Sequence, residues 1–202
     1  MLRAAALSAV AMYATAAALV AAAPAATAAT TSTAPSAGGQ TAISGHFTLD
    51  RLDGQQVTDA TYRGKWLLVY FGYTYCPDVC PTVLMRFGQA LKELGSVADR
   101  IQPLFITVDP ERDTAPHLAQ YMAAFDSRII GLRGDLEQIR AAARQFHVYY
   151  RARSLGNGEY SVDHSSFVYV IAPDGHFRTL LADSLQVDQL SGTLRKLVNE
   201  AP

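Results

Sequence analysis

Three short, almost uninterrupted apolar runs constrain the fold of this chain more than any other feature. They cover residues 66–71, 104–108 and 167–172. Such a run is typical of a strand buried on both faces, because the side chains on either side must then be apolar. Between the runs, apolar residues recur at three- and four-residue intervals, most clearly over residues 80–94 and 136–146, which predicts helices. Strands that alternate with helices predict an α/β fold whose mixed sheet is covered on both faces.

A β-hairpin is predicted ahead of this sheet. Residues 47–58 contain two short strand patterns around an Asp53-Gly54 turn. After the last apolar run, an Asp174-Gly175 turn leads into a further strand and a final helix. This order of elements predicts a thioredoxin-like fold with a mixed sheet flanked by helices and an added N-terminal β-hairpin.

The N-terminal segment has the composition of an export signal. Arg3 is followed by an Ala-rich apolar stretch, and no Asp, Glu, Lys or Arg occurs between Arg3 and Asp50. A basic start, an apolar run and an Ala-x-Ala pattern predict a secretory signal peptide at residues 1–28. An uncleaved membrane anchor is the alternative, since residues 4–23 are just long enough to span a bilayer. Whether it is a signal peptide or an anchor, this segment predicts that the folded part lies outside the cytoplasm, in the periplasm or at the outer face of the inner membrane.

The rest of the chain divides into a linker and one domain. Residues 29–42 contain only Ala, Thr, Ser, Gly, Pro and Gln, a composition that predicts a flexible linker. Residues 43–202 are predicted to form the folded domain. The formal net charge is −1 and the chain has no long basic run, which argues against a nucleic-acid partner.

The two cysteines of the chain lie just beyond the first apolar run. Cys76 and Cys80 form a C-x-x-x-C pair between a predicted strand and a predicted helix, where sites form in open α/β sheets. Pro81 fits the first turn of that helix, so Cys80 lies inside this turn and Cys76 lies at or before the cap. Free backbone N–H groups and the helix dipole favour thiolates there. The pair therefore predicts redox or metal chemistry, with a structural disulfide as the alternative.

His164 favours metal binding over redox chemistry at the cysteine pair. It precedes the strand at residues 167–172, where thioredoxin-like oxidoreductases usually have a cis-proline that faces the cysteines. A histidine there would complete a site of two thiolates and one imidazole with Cys76 and Cys80. This soft donor set suits one copper ion, as Cu(I) or Cu(II), whereas structural zinc normally takes four protein ligands. The remaining histidines are expected to face solvent: His46, His117, His147 and His176.

Three segments together resemble the Sco/SenC family of copper chaperones. They are residues 70–81 around the cysteine pair, residues 107–114 with the sequence TVDPERDT, and residues 162–175 around His164. The resemblance covers about residues 43–200 and carries the two cysteine ligands and the histidine ligand of the family onto Cys76, Cys80 and His164. In residues 107–114, Arg112 is expected to form ion pairs that hold the loop.

The resemblance implies a function in cytochrome c oxidase assembly. Sco proteins deliver copper to the dinuclear copper site of oxidase subunit II, reduce the cysteines of that site, or do both. The expected partners are subunit II or another copper-accepting envelope protein, and a copper donor protein. Such a chaperone need not be an enzyme.

The residues also leave an alternative function. A thiol–disulfide reductase of the cell envelope would need only Cys76 and Cys80 and no metal. Its activity would survive loss of His164, which distinguishes it from the copper chaperone. Peroxide reduction is disfavoured, because Thr74 is too close to Cys76 for the T-x-x-C pattern of peroxiredoxins.

Overall fold

The computed structural model describes residues 42–200 of the chain. Strands and helices alternate along it in the order β1 Thr48–Arg51, β2 Gln56–Thr58, β3 Trp66–Gly72, α1 Val79–Leu94, β4 Ile101–Thr107, α2 Ala115–Met122, β5 Ile130–Arg133, α3 Leu136–Phe146, β6 Tyr150–Gly156, β7 Glu159–His164, β8 Phe167–Ile171, β9 Phe177–Ala182 and α4 Val187–Glu200. The predicted signal peptide or anchor, and all of the predicted linker except Ala42, lie outside the described residues. Those boundaries stay predictions.

Seven of the described strands form one mixed sheet. Their order is β2-β1-β5-β4-β3-β8-β9. The central strands β3, β4 and β5 are parallel, while β8 runs antiparallel to β3 and β1 runs antiparallel to β5. β1 and β2 pair with Leu49 opposite Val57, which confirms the predicted N-terminal hairpin.

Helices cover both faces of the central strand β3, all seven residues of which are buried. Phe71 packs edge-on against Phe146 of α3, with ring centroids 5.2 Å apart. Its neighbour Tyr70 lies against Cys80 of α1 instead. Because adjacent side chains of a strand point to opposite faces, α1 and α3 cover opposite faces of the sheet. The predicted α/β architecture with helices on both faces is confirmed.

The strands β6 and β7 form a separate two-stranded sheet that the apolar pattern did not predict. All residues of β6 after Tyr150 are exposed, so no buried run marks them. The turn between the strands has positive φ at Gly156, Asn157 and Gly158, which only glycine and a few residues such as asparagine adopt readily. The Asn157-Gly158 dipeptide was therefore the available hairpin signal.

None of the helices within residues 42–200 has the length and apolar character needed to cross a bilayer.

Candidate metal centre

The cysteine pair lies at the junction between β3 and α1. β3 ends at Gly72 and α1 begins at Val79, so Cys76 lies in the connecting loop and Cys80 is the second residue of the helix. Cys80 is fully buried and Cys76 is half-buried, and neither forms a disulfide. The helix start predicted from Pro81 is therefore confirmed. Asp78 occupies the N-cap position, although its side chain makes no capping hydrogen bond.

The strand β7 brings its last residue, His164, to the cysteine pair. The Nε2 atom of His164 lies 3.6 Å from the Sγ atom of Cys80. One ligand atom from each of Cys76, Cys80 and His164 lies within 4.8 Å of the other two. Among the described residues this is the one group of three or more Cys, His, Asp or Glu side chains placed to share a metal ion.

The other nitrogen of the His164 ring is held by the backbone. Nδ1 lies 3.0 Å from the carbonyl oxygen of Ser165, to which it donates as an N–H. In a neutral imidazole this leaves the Nε2 lone pair directed at the cysteines, which is the tautomer that a metal ligand needs. The rings of Tyr70 and Tyr73 meet the imidazole edge-on, with centroids 6.1 and 5.9 Å away.

The two thiols have opposite acidities. A hydrogen bond from the Cys80 side chain lowers the pKa of Cys76 to about 3, with His164 and the backbone amides of Cys80 and Asp78 assisting against the effect of burial. The Cys80 amide N–H donates to Cys76 Sγ across 3.4 Å. The pKa of Cys80 is raised well above its usual range by its hydrogen bond to Cys76 and by burial. The metal-free site therefore contains one thiolate and one thiol, and a metal ion must displace the Cys80 proton to gain both sulfurs.

Gly72 makes room for the Cys80 sulfur beside β3. A Cβ atom at this position would lie 2.9 Å from Cys80 Sγ and 2.8 Å from the ring of Phe105. Both distances are shorter than a van der Waals contact, so a side chain here would displace the sulfur or the ring. Tyr70 approaches the same sulfur from the sheet, with its hydroxyl 3.9 Å away.

A buried carboxylate anchors the start of the cysteine loop. Asp113 is fully buried and accepts hydrogen bonds from the backbone N–H and the hydroxyl of Thr74, at 3.1 and 2.6 Å, and from the hydroxyl of Thr107. Burial raises its pKa despite these bonds. Thr74 precedes Cys76 by two residues, so Asp113 ties the loop to the end of β4.

One expectation for the histidines was wrong. His117 was expected to face solvent, but it is half-buried, and its Nε2 lies 2.9 Å from the hydroxyl of Thr74. Its ring stacks on Tyr75, with centroids 5.2 Å apart. His117 lies in the first turn of α2, and the packing of α2 places this turn beside the cysteine loop. His46 and His176 are exposed, as expected.

Sequence reasoning found Arg112 near the site but missed Tyr160. Arg112 forms the predicted ion pair, and its Nε donates to Asp109 Oδ2 at 2.6 Å. Its contact with Tyr160 was not predicted. Tyr160 and His164 share one face of β7 because side chains alternate along a strand. That periodicity would have associated the two residues if β7 had been recognised.

The donor set fits a soft metal ion. Two sulfur ligands and one imidazole nitrogen favour copper among the common biological metals, and a closed structural zinc site would need a fourth protein ligand. No fourth Cys, His, Asp or Glu joins this group within residues 42–200.

Comparison with known proteins places the chain in a family. The profile of the SCO1/SenC family matches residues 35–199. This chain belongs to the SCO1/SenC family. Among curated members, it is 39% identical over 168 residues to the SCO1 homolog 1 of Arabidopsis thaliana, a mitochondrial protein, covering 82% of this chain and 50% of the relative. It is 37% identical over 159 residues to the human mitochondrial SCO1 homolog, covering 77% of this chain and 53% of the relative. The matches thus span about half the length of these relatives.

Solved structures of family members have the same fold. ScoI of Bradyrhizobium japonicum with copper bound superimposes with a TM-score of 0.72 at 36% identity, covering 77% of this chain and 99% of that one. Yeast Sco1 with copper bound gives a TM-score of 0.74 at 32% identity, covering 80% and 91%. The thioredoxin-like fold predicted from the order of strands and helices is confirmed.

Proposed function

We propose that this chain is a copper chaperone that binds one copper ion through Cys76, Cys80 and His164 and supplies it for assembly of cytochrome c oxidase. The observation that carries the proposal is the convergence of two sulfurs and one imidazole nitrogen within 4.8 Å of one another. Membership of the family and the copper-bound state of two similar Sco proteins support the identity of the metal.

Copper capture begins at the half-buried Cys76. Its low pKa keeps it ionised at neutral pH, so the entering ion meets a thiolate that is already formed. Cys80 then loses its proton to solvent, and His164 adds the Nε2 lone pair. Burial of Cys80 by the sheet and α1 shields the bound ion on its inner side.

Delivery follows by exchange of ligands. We propose that the recipient is the dinuclear copper site of oxidase subunit II, whose cysteines replace Cys76 and Cys80 one sulfur at a time. Each exchange breaks one Cu–S bond and forms another, so the oxidation state of the copper does not change. The half-buried Cys76 is the accessible sulfur and the first to be exchanged.

The location and the N-terminal segment belong to the same proposal. A signal peptide or anchor at residues 1–28 would place residues 43–202 outside the cytoplasm, in the periplasm or at the outer face of the inner membrane, beside the copper domain of the oxidase. The curated relatives named above are mitochondrial proteins.

The low pKa of Cys76 also favours the alternative function, thiol–disulfide reduction. The Cys76 thiolate would attack a disulfide of the partner and form a mixed disulfide, and Cys80 would then attack Cys76. The partner gains two electrons and this chain becomes a Cys76–Cys80 disulfide. His164 takes no part in that reaction.

A transfer assay separates the two functions. The reduced full chain is loaded with one Cu(I) and mixed with the metal-free copper domain of oxidase subunit II, whose cysteines are either reduced or oxidised. The chaperone proposal predicts copper transfer to the reduced acceptor and loss of transfer in His164→Ala. If His164→Ala reduces the oxidised acceptor as fast as the parent chain, and neither protein transfers copper, the reductase function is correct.

A further inference from the structure

Arg112 joins the two segments that carry the proposed ligands. It lies in the loop between β4 and α2. Its Nη1 donates to the carbonyl oxygen of Tyr160 in β7 across 2.8 Å, and its guanidinium lies over the Tyr160 ring at 3.6 Å from the centroid. On the side of the cysteine loop, the same guanidinium lies 4.6 Å from the ring centroid of Tyr75 and 5.8 Å from that of Tyr73.

The buried carboxylate of Asp109 binds both Arg112 and Tyr160. Asp109 is 4% exposed; its Oδ2 accepts from Arg112 Nε, and its Oδ1 accepts from the hydroxyl of Tyr160 at 2.8 Å. Each pair among Arg112, Asp109 and Tyr160 is therefore in direct contact, and we call these three residues the Arg112 clamp. Such a planar guanidinium, paired on its edge and stacked on its face, is a rigid connection that lysine cannot reproduce.

The β6–β7 hairpin is not paired with the main sheet, so side-chain contacts attach it to the domain. It forms its own two-stranded sheet, and most of its residues are exposed. An isolated two-stranded hairpin is marginally stable in water, so its position depends on a small number of tertiary contacts. Val162 supplies one buried side chain, and the rings of Tyr70 and Tyr73 meet His164 itself. The Arg112 clamp adds a polar connection four residues before His164.

The cysteines do not depend on the clamp in the same way. Cys80 is fixed by α1 and the sheet, whereas His164 is the last residue of the hairpin. Arg112 also contacts the Tyr75 ring beside Cys76, but Cys76 Sγ accepts from the Cys80 amide N–H, and Asp113 anchors its loop through Thr74. Loss of the clamp would therefore act mainly on the imidazole.

We propose that Arg112 is a positioning residue that holds His164 against the cysteine pair and so slows the release of copper. The inference rests on the proposed function, because it assumes that the three residues bind copper. It assigns Arg112 an effect on His164 rather than a contact with the metal.

The test is copper release from the reduced full chain. The chain is loaded with one Cu(I) and mixed with an excess of bathocuproine disulfonate, and the absorbance of the chelator complex gives the release rate. Arg112→Lys is expected to release copper about tenfold faster, in line with the usual effect of removing a residue that orients a metal ligand. Arg128→Lys is the control, because Arg128 also pairs with an aspartate, Asp126, through two hydrogen bonds away from the site, and its substitution should leave the rate unchanged.

A second readout needs no metal. Amide hydrogen exchange at residues 159–164 of the metal-free chain should be faster in Arg112→Lys than in the parent and in Arg128→Lys. Tyr160→Phe keeps the stacked ring and the carbonyl but removes the hydroxyl bound to Asp109. It should shift both readouts in the same direction by a smaller factor, and it serves as the test if Arg112→Lys does not fold.

A double variant distinguishes this inference from the proposed function. In a His164→Ala background, Arg112→Lys should add no further increase in release rate, because the residue through which it acts is gone. An equal increase in both backgrounds, or parent-like release and exchange in Arg112→Lys, would overturn the positioning role of Arg112. Failure of the parent chain to retain Cu(I), or release from His164→Ala at the parent rate, would contradict the three-ligand site instead.

Discussion

The Sγ atom of Cys80 lies 3.6 Å from the Nε2 atom of His164, although the two residues are 84 positions apart in the chain. α1 supplies the first and β7 supplies the second. The Cys76 sulfur completes a group of three ligand atoms that all lie within 4.8 Å of one another.

Gly72 is predicted to be intolerant of a side chain. In Gly72→Ala the new Cβ would lie 2.9 Å from Cys80 Sγ, so the sulfur, the Phe105 ring or the strand must shift. We expect a loss of about 1–3 kcal/mol in the free energy of unfolding, typical of overpacking, together with weaker Cu(I) binding. Urea denaturation and competition with a Cu(I) chelator measure the two effects.

The control for this substitution is Gly192→Ala. Gly192 lies in α4, and a Cβ atom there has no other atom within 4 Å. Alanine has the higher helix propensity, so the free energy of unfolding should rise by up to about 1 kcal/mol. Copper binding should stay unchanged. If Gly72→Ala behaved like Gly192→Ala, the close packing of Cys80 against β3 would be disproved.

The two thiols are predicted to titrate separately. Because the folded pKa of Cys76, about 3, lies below the unfolded value of 9.0, its thiolate stabilises the folded chain. This contribution is complete above pH 9.0 and is lost as the pH falls towards about 3. In the reduced, metal-free chain the ultraviolet absorbance of one thiolate should therefore persist down to about pH 5.

The hydrogen bond from Cys80 is the leading cause of this low pKa, so Cys80→Ala should raise the pH at which the Cys76 thiolate is lost. Cys76→Ala should remove the low-pH thiolate absorbance altogether. Titration of both thiols in a single step near pH 9.0 would show that the pair does not share a proton as described.

Asp113 is predicted to stabilise the cysteine loop. Asp113→Ala removes the acceptor of the part-buried Thr74 backbone N–H, leaves the Thr74 hydroxyl with His117 alone, and frees the buried hydroxyl of Thr107. The expected loss in the free energy of unfolding is about 2–4 kcal/mol, measured by urea denaturation. Asp135→Ala is the control, since it removes a helix cap away from the site and should cost about 1 kcal/mol.

The contribution of Asp113 to the free energy of unfolding should be larger at low pH than at neutral pH. Burial raises the folded pKa above the unfolded value of 3.8. Its protonated form therefore favours folding below pH 3.8, and this contribution is lost as the pH rises through the folded pKa. The stability difference between the parent and Asp113→Ala should thus be larger in mild acid than at neutral pH. The opposite trend would contradict the assignment.

The central part of the fold could be predicted because burial leaves a simple pattern in the sequence. The buried strand β3 is a continuous apolar run, and α3 covers the residues 136–146 whose apolar spacing predicts a helix. The exposed hairpin β6–β7 could not be predicted in this way. Its residues are held by contacts such as that between Arg112 and Tyr160, which depend on the tertiary structure.

The candidate metal site, too, could be predicted from the sequence only in part. The grouping of Cys76, Cys80 and His164 could be predicted from the helix start and from the place of a missing proline. The half-buried position of His117 could not, because it depends on how α2 packs beside the cysteine loop. Gly72 carried no signal either, since the need for a small residue arises only when Cys80 is packed against the strand.

Copper stoichiometry is the most direct test of the site formed by Cys76, Cys80 and His164. The reduced full chain is dialysed against Cu(I) beside the variants Cys76→Ala, Cys80→Ala, His164→Ala and, as a control, the exposed His176→Ala. We expect one copper per chain in the parent and in His176→Ala, and loss or sharp weakening of binding in the other three variants. Parent-like copper binding by His164→Ala would contradict the three-ligand site and favour the metal-independent reductase.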